Sequence, residues 1–279
     1  MGKRVAVAAV GIPAAFYLVY LGGWSLALTL SGLGGLGALE VYRFAQSKSV
    51  RPLVPVGVLG AVALPLLGGA LSSGGPLDSG WAILLGAAWL IVIMLVALRT
   101  RAPEDGPLAV VSITVFGALY AGGMPSFLLW LRESGPTPLA ATWLVFLPLT
   151  LTWICDSAAM LAGSLIGGPR FAPVLSPRKT WSGTVAGALV AVILGPMYGY
   201  LVLERVGLHV PTAALLLVGL GVGTLGQLGD LAESLFKRDA GVKDSGTFFP
   251  GHGGVLDRLD SLYWSIPTTV LILRGFNVV

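Results

Sequence analysis

The chain has 279 residues, of which 55% are hydrophobic and only 11% are charged, and its formal net charge at pH 7 is +4. Together with a mean hydropathy of +0.86, this composition excludes a solvated globular protein and indicates a polytopic membrane protein. The single cysteine, Cys155, excludes an internal disulfide framework and a zinc cluster built on cysteines.

Nine apolar segments predict an all-α polytopic fold with about nine transmembrane helices, because about 17–25 apolar residues are needed to cross a hydrocarbon core of ~30 Å. They lie at 4–21, 24–45, 53–71, 80–98, 107–123, 137–165, 177–203, 211–236 and 254–273. We expect three regions along the chain. These are an N-terminal three-helix region (1–78), a middle two-helix region (79–136) and a C-terminal four-helix catalytic region (137–279).

The 17 Lys and Arg residues are distributed unevenly between the two sides that nine helices would create. Fourteen fall on the side of the N-terminus, and only Arg132, Arg205 and Arg274 fall on the other side. The positive-inside rule therefore predicts a cytoplasmic N-terminus and a C-terminus outside.

Two glycine pairs, Gly183 with Gly187 and Gly219 with Gly223, have the small-xxx-small spacing that allows close contact between transmembrane helices. In a chain with 40 glycines this spacing also arises by chance.

Four carboxylates are predicted to lie near the cytoplasmic boundary. At 1.5 Å per residue, Asp156 and Asp230 lie ~28 Å along their helices, and Asp257 and Asp260 fall in the first two turns of the ninth helix. Asp257 and Asp260 are three residues apart and share a helical face. Such an oxygen-rich site suits Mg²⁺. The alternative is that these two carboxylates only favour a helix N-terminus and pair with Arg258.

Ser176 and Pro177 are typical of a helix start, with Ser as N-cap and Pro at the first helical position. Free N–H groups there, with Arg178 and Lys179, would hold an anion. An ordinary capped helix explains the same residues. For Asp156, three roles stay open: substrate contact, metal contact and a salt bridge to Lys179.

A glycine-containing loop at 250–254 leads into the ninth predicted helix and can bring backbone close to a ligand. Its His252 is a candidate phosphate donor, acid or base, or else a solvated loop histidine. Upstream, Asp230, Ser234 and Lys237 form a stripe on one helical face.

These residues belong to a longer pattern, since the segment 234–260 reads SLFKRDAGVKDSGTFFPGHGGVLDRLD. It resembles the signature of phosphatidate cytidylyltransferases, also called CDP-diacylglycerol synthases. Asp156, the run SPRKT at 176–180 and Gly183 resemble the segment that precedes this signature in that family. The likeness covers roughly the C-terminal half of the chain.

The resemblance implies transfer of the cytidylyl group of CTP to phosphatidic acid, with Mg²⁺ and room for a second cation. It implies Asp230 and Asp257 as metal ligands, and Asp260 as a second-site ligand or the partner of Lys179. Lys179 and Lys237 join these three aspartates as catalytic residues. The substrate-binding residues that it implies are Asp156, Ser176, Lys179, Thr180, Lys237, Arg238, Lys243, Asp244, His252, Gly253 and Arg258.

The same resemblance implies a homodimer in the bacterial inner (plasma) membrane, with its active site facing the cytoplasm and no nucleic-acid partner. A CTP-dependent polyprenol or phytol kinase is a rival, but the complete ending HGGVLDRLD speaks against it. A transporter would place carboxylates near the bilayer midplane and show repeated halves, whereas here the charges cluster at one face.

Overall fold

A computed structural model describes residues 2–72, 79–249, 251 and 253–279. These residues form twelve α-helices and one hairpin of two short strands. The helices are α1 (Gly2–Leu21), α2 (Gly23–Ser47), α3 (Val54–Ser72), α4 (Ser79–Thr100), α5 (Pro107–Ala118), α6 (Met124–Glu133), α7 (Pro138–Ile166), α8 (Trp181–Tyr198), α9 (Thr212–Gly221), α10 (Gln227–Asp239), α11 (Leu256–Leu259) and α12 (Leu262–Gly275). The strands are β1 (Arg170–Ala172) and β2 (Ser176–Thr180).

Within the part of the chain that the structure describes, seven helical stretches are long and apolar enough to cross a membrane. They are Gly23–Ser47, Val54–Leu71, Gly80–Thr100, Pro107–Glu133, Pro138–Ile166, Trp181–Val206 and Thr212–Asp239. The prediction of an all-α polytopic membrane protein is confirmed at this level.

Three of these stretches contain a π-helical turn, at Leu119–Gly123, Gly199–Leu203 and Val222–Gly226. Such a turn inserts an extra residue into the helix without ending it. The first turn carries the chain from α5 into α6, so the predicted segment 107–123 ended too early.

The predicted continuous helix at 254–273 is wrong. The chain forms the single turn of α11, bends at Asp260 and Ser261, and resumes as α12. The Asp260 carboxylate accepts a hydrogen bond from the Ser261 N–H at 2.6 Å. A short acidic side chain that captures a nearby backbone N–H in this way competes with the helical hydrogen bonds. Asp257 and Asp260 therefore do not share one helix.

The predicted helix start at Ser176 and Pro177 is also wrong, because these residues belong to β2. That strand pairs antiparallel with β1, with Arg170 opposite Thr180. A residue before proline is disfavoured in the helical region and is pushed towards extended backbone. Thr180 is the N-cap instead, and its hydroxyl accepts a hydrogen bond from the Gly183 N–H at 3.2 Å.

The described chain divides into two compact units. Unit 1 comprises Met1–Ala14, Leu21–Leu129 and Asp239–Arg258, and unit 2 comprises Ala15–Tyr20, Trp130–Arg238 and Leu259–Val279. The N-terminal helices and the second half of the signature segment thus belong to the same unit. The three-region division made from sequence stays a prediction.

Unit 1 is built on α2, α3 and α5, with α4 packed against α3 and α5. A core cluster of Leu53, Ile93, Ala97 and Val110 joins α3, α4 and α5. The outer side of α4 is apolar and exposed along its length. Contiguous exposed apolar surface of this kind indicates contact with lipid.

In unit 2, α8 packs between α7 and α9, and the two glycine pairs mark where the backbones meet. A Cβ added at Gly183 would lie 2.4 Å from the Ala159 carbonyl oxygen of α7. A Cβ added at Gly219 would lie 2.4 Å from the Ala191 carbonyl oxygen of α8. Close approach without side chains is how small residues pack membrane helices.

Candidate active site

Unit 2 contains an ion pair between two of the predicted site residues. The Lys179 Nζ lies 2.7 Å from the Asp230 Oδ2, and the two side chains are 23% and 28% exposed. Lys179 stands at the end of β2 and Asp230 in the first turn of α10. Because both partners can be reached from solvent, the pair is open to an incoming ligand.

Asp230 is the ion-pair partner of Lys179 among the described residues, whereas Asp156 and Asp260 lie outside ion-pair distance of it. Asp230 nevertheless lies near enough to both carboxylates for its charge to act on them. Gly229 allows this approach, since a Cβ there would lie 2.9 Å from the Asp260 carbonyl oxygen. Unit 2 therefore brings three carboxylates near one another, and one of them, Asp230, is paired with Lys179.

Gln227 is a buried residue of this group that sequence analysis missed. Its carbonyl oxygen accepts a hydrogen bond from the Lys179 Nζ at 3.4 Å, and its side-chain amide donates to the Thr184 carbonyl oxygen at 3.0 Å. It thus ties the start of α10 to α8 directly beside the ion pair. A single glutamine beside a π-turn carries no sequence signal for this role.

The predicted stripe on α10 is present, with the Ser234 hydroxyl 3.5 Å from the Asp230 carboxylate. Lys237 is largely buried and pairs with the fully buried Glu233 at 3.1 Å. The positive charge of Lys237 therefore stabilises the buried Glu233 carboxylate within unit 2, in addition to any contact with a ligand. Arg238, one residue further, is exposed.

An open pocket of about 500 Å³ lies beside Lys179. Three cations line it, namely Lys179 together with Arg170 and Arg178 of the hairpin. The remaining lining residues are Ala159, Met160, Gly163, Ser164, Gly167, Gly168, Thr180, Gly183 and Thr184. Three cations with hydroxyl groups beside them suit an anionic ligand such as a phosphate.

In unit 1, the Asp257 carboxylate organises the signature loop, by which we mean residues 245–249 and 253–256 of the signature segment. Its Oδ2 accepts hydrogen bonds from the Ser245 N–H at 2.7 Å and the Gly254 N–H at 2.9 Å, and it lies 2.9 Å from the Ser245 hydroxyl oxygen. Gly253 has a φ of +86°, and a Cβ there would lie 2.4 Å from the same oxygen. The loop therefore closes tightly around this carboxylate.

Glu40 of α2 is a second carboxylate in contact with this loop, and sequence analysis missed it. It accepts hydrogen bonds from the Val255 and Leu256 N–H groups and from the Ser245 hydroxyl. No motif was recognised in the first ~130 residues. The available signal was an acidic residue inside an apolar segment, which is costly in a membrane and marks a functional position.

The sequence model of a protein family described as "Cytidylyltransferase family" matches residues 2–276 of this chain. The chain belongs to the cytidylyltransferase family. A phosphatidate cytidylyltransferase of Brucella suis biovar 1 (strain 1330) is 37% identical over 88% of this chain and 83% of its own length. Those of Synechocystis sp. and Bacillus subtilis (strain 168) are 32% and 29% identical over 99% of this chain, and over 98% and 99% of their own lengths.

The other predicted substrate-binding residues of this cytidylyltransferase are placed as follows. Lys243, Asp244 and Arg258 are exposed in unit 1, while Gly253 is half-buried. Ser176 is half-buried in β2, and Thr180 is buried as the N-cap of α8. His252 lies outside the described residues.

Among the described residues, no three His, Cys, Asp or Glu side chains are grouped so that they alone could hold a metal ion. Mg²⁺ in phosphate-transfer sites is bound through one or two carboxylates, waters and substrate phosphates. The partly exposed Asp230 carboxylate, with hard oxygen donors, fits this mode of binding. The donor chemistry of the site is therefore compatible with a cation that a nucleotide completes.

Proposed function

We propose that this protein transfers the cytidylyl group of CTP to phosphatidic acid, which gives CDP-diacylglycerol and pyrophosphate for phospholipid biosynthesis. The similarity over nearly the whole chain to phosphatidate cytidylyltransferases carries this assignment. The signature segment at 234–260, which lies within the matched region, supports the same assignment.

The reaction joins two polyanions. A phosphate oxygen of phosphatidic acid attacks the α-phosphorus of CTP, and the bond from that phosphorus to the oxygen bridging to the β-phosphate breaks, so that pyrophosphate leaves. The attacking phosphate is already anionic near neutral pH, so charge neutralisation and in-line positioning matter more than a general base. Lys179, Arg170 and Arg178 supply positive charge at one pocket for this purpose.

The surroundings of that pocket suit a lipid substrate. Leu165 and Ile166, beside the pocket-lining Ser164, are strongly exposed apolar side chains at the end of α7. An amphiphile needs apolar contact for its chains and cations for its head group, and both occur here within unit 2. The hydroxyl of Ser164 adds a neutral hydrogen-bonding group to the same wall.

We assign Mg²⁺ to Asp230, Asp257 and Asp260, with a second cation as a further expectation, as the family resemblance implies. When bound, such an ion would neutralise phosphate charge and favour departure of pyrophosphate. Lys237, Arg238 and Lys243 are assigned to phosphate groups on the same basis.

We also propose nine membrane-spanning segments with the N-terminus in the cytoplasm, in the bacterial inner membrane, with the active site on the cytoplasmic side. Seven of the nine predicted segments correspond to the candidate spans, α1 covers an eighth, and the 14-to-3 distribution of basic residues supports the orientation. In a Cys155→Ala background, Glu133→Cys should react with an impermeant maleimide in intact spheroplasts. Lys48→Cys should react only after the membrane is opened, and the reverse pattern would overturn the orientation.

We expect the protein to be a homodimer, as the resemblance implies. Light scattering of the detergent-purified protein, corrected for bound detergent, should give twice the mass of one chain. A single-chain mass in an active preparation would refute this expectation.

One assay tests the activity directly. Purified protein with phosphatidic acid and Mg²⁺ should give labelled lipid from CTP labelled at the α-phosphate and none from CTP labelled at the γ-phosphate. Label that moves from the γ-phosphate into lipid would instead identify a CTP-dependent lipid kinase.

A further inference from the structure

Glu40 is a carboxylate buried inside an otherwise apolar helix. It is 3% exposed and lies in α2, where its nearest charged neighbour along the chain is Arg43. A buried carboxylate is costly unless hydrogen bonds compensate for the lost water. The groups that donate hydrogen bonds to Glu40 therefore indicate which part of the protein this residue stabilises.

Three hydrogen-bond donors of the signature loop contact the Glu40 carboxylate. The Glu40 Oε1 accepts from the Val255 N–H at 2.9 Å, and Oε2 accepts from the Leu256 N–H at 2.9 Å and the Ser245 hydroxyl at 2.7 Å. Val255 and Leu256 lead into α11, the single turn that carries Asp257. Glu40 thus fixes the backbone immediately before Asp257.

Ser245 connects the two carboxylates. Its hydroxyl oxygen lies 2.7 Å from the Glu40 Oε2 and 2.9 Å from the Asp257 Oδ2, and its N–H donates to Asp257 at 2.7 Å. A change in the position of Glu40 is therefore transmitted to Asp257 through one residue as well as through the backbone of α11.

The loop is also shaped to fit the glutamate. A Cβ added at Gly246 or Gly254 would lie 2.6 Å or 2.4 Å from the Glu40 Oε1. Such distances are shorter than van der Waals contact, so both positions accept only glycine while Glu40 keeps its place. Two glycines of the signature loop are thereby explained by a residue of the N-terminal half.

We propose that Glu40 is a positioning residue that holds the signature loop, and with it the Asp257 carboxylate, in the geometry needed for turnover. The effect on turnover rests on the proposed function, whereas the effect on loop order does not. Outer residues that orient a ligand carboxylate commonly change activity about 10–100-fold when removed.

The test compares Glu40→Ala and Glu40→Gln with Ser31→Ala as a matched control. Ser31 is a buried polar residue of the same helix whose hydroxyl donates to the Ala27 carbonyl oxygen at 2.8 Å. Hydrogen–deuterium exchange of detergent-purified protein reports loop order, and steady-state kinetics with CTP and phosphatidic acid report turnover.

In Glu40→Ala we expect faster exchange of the amides at 253–258, with α3 and α5 unchanged. We expect kcat to fall about 10–100-fold, while KM for CTP changes less than about threefold. Glu40→Gln should give intermediate values of both kcat and amide exchange. Its amide oxygen still accepts a hydrogen bond from the loop, whereas its amide NH₂ group faces another N–H donor of the loop and cannot accept. Ser31→Ala should match the parent in both measurements.

Parent-like kcat in a folded Glu40→Ala protein would overturn the proposal. Uniformly faster exchange across α2, α3 and α5, with kcat per folded molecule unchanged, would also overturn it by reducing Glu40 to a packing role. If Glu40→Ala cannot be purified, Glu40→Gln provides both measurements. A parent protein that makes no CDP-lipid would sink the proposed function, while the exchange result would still decide the role in loop order.

Discussion

Asp230 of unit 2 and Asp257 of unit 1 are both expected metal ligands, but their carboxylates are held in different ways. Asp230 faces a lysine side chain, and both partners are partly exposed. The Asp257 Oδ2 accepts two hydrogen bonds from backbone N–H groups of its own loop, and the Ser245 hydroxyl lies 2.9 Å from it. The first carboxylate is therefore paired with a side-chain cation, and the second is held by backbone N–H groups.

This difference separates two contributions that a substitution can remove. Replacing Asp by Asn removes the negative charge but keeps an oxygen that accepts hydrogen bonds. Replacing Asp by Ala removes both. At Asp230 the charge should account for most of the effect, whereas at Asp257 the loop geometry should add a second loss.

The largest effect is expected from loss of charge. Asp230→Asn and Asp257→Asn should each lower kcat by about 10²-fold or more, because metal binding and neutralisation of the phosphates weaken together. Radiolabelled CTP incorporation into lipid at saturating Mg²⁺ measures this. Near-parent turnover in both variants would mean that the two carboxylates are structural.

Asp239→Asn is a suitable control for these two variants. Asp239 also pairs with a lysine, since its carboxylate lies 2.9 Å from the Lys48 Nζ. Both side chains are about half exposed or more, and surface pairs of this kind contribute little. Turnover within about twofold of the parent is expected there.

The second effect concerns the cation of unit 2. Lys179→Ala should lower kcat/KM by about 10–100-fold, because it removes positive charge from the anion pocket and leaves Asp230 unpaired. Lys48→Ala removes an ion-paired lysine outside that pocket and should leave kcat/KM nearly unchanged. Steady-state kinetics, with the concentrations of CTP and of phosphatidic acid varied in turn, measure both variants. Equal changes in kcat/KM would mean that Lys179 contributes to membrane orientation and not to the active site.

The third effect is the difference in stability between the alanine variant and the asparagine variant of each aspartate. Asp257→Ala should lose ~1–3 kcal/mol more stability than Asp257→Asn, since it leaves buried loop donors without an acceptor. Asp230→Ala and Asp230→Asn should unfold at nearly the same temperature. Thermal unfolding of the four variants in one detergent measures this. If the Ala and Asn variants differed in stability by the same amount at Asp230 and at Asp257, the proposed difference between the two carboxylates would be wrong.

The smallest effect is expected from two serines. Ser245→Ala removes a hydroxyl within 2.9 Å of two carboxylates and should lower kcat several-fold. Ser234→Ala removes a hydroxyl 3.5 Å from Asp230 and should change kcat less than about twofold. The same lipid-labelling assay, run at equal protein concentration, ranks the two, and the opposite order would contradict the contrast.

The helices and the charged residues that interrupt them were predictable because lipid imposes a simple rule on sequence. Long apolar runs must form helices, so the charged residues that interrupt them stand out. Asp230 stands out in this way, but its pairing with Lys179 does not, because the sequence indicated Asp156 or Asp260 as the partner of that lysine. The interruption at Asp260 was not, because one side-chain hydrogen bond to the Ser261 N–H decides it.

The other misses depend on contacts that no local pattern encodes. Ser176 and Pro177 fit a helix start as well as an extended strand, and pairing with β1 decides between the two. Glu40 could be recognised as unusual, but its role depends on donors 205 to 216 residues away. Sequence spacing alone does not reveal which distant loop satisfies a buried carboxylate.

This separation has a consequence for how the protein is made. Ribosomes extend chains at about 5–20 residues per second, so ~200 residues take roughly 10–40 s. Glu40 is synthesised early, and its hydrogen-bond donors Ser245, Val255 and Leu256 are synthesised only after this interval. Synthesis of the signature loop therefore also supplies the hydrogen-bond donors that this buried carboxylate requires, so a chain interrupted before Ser245 keeps an unsatisfied carboxylate in α2.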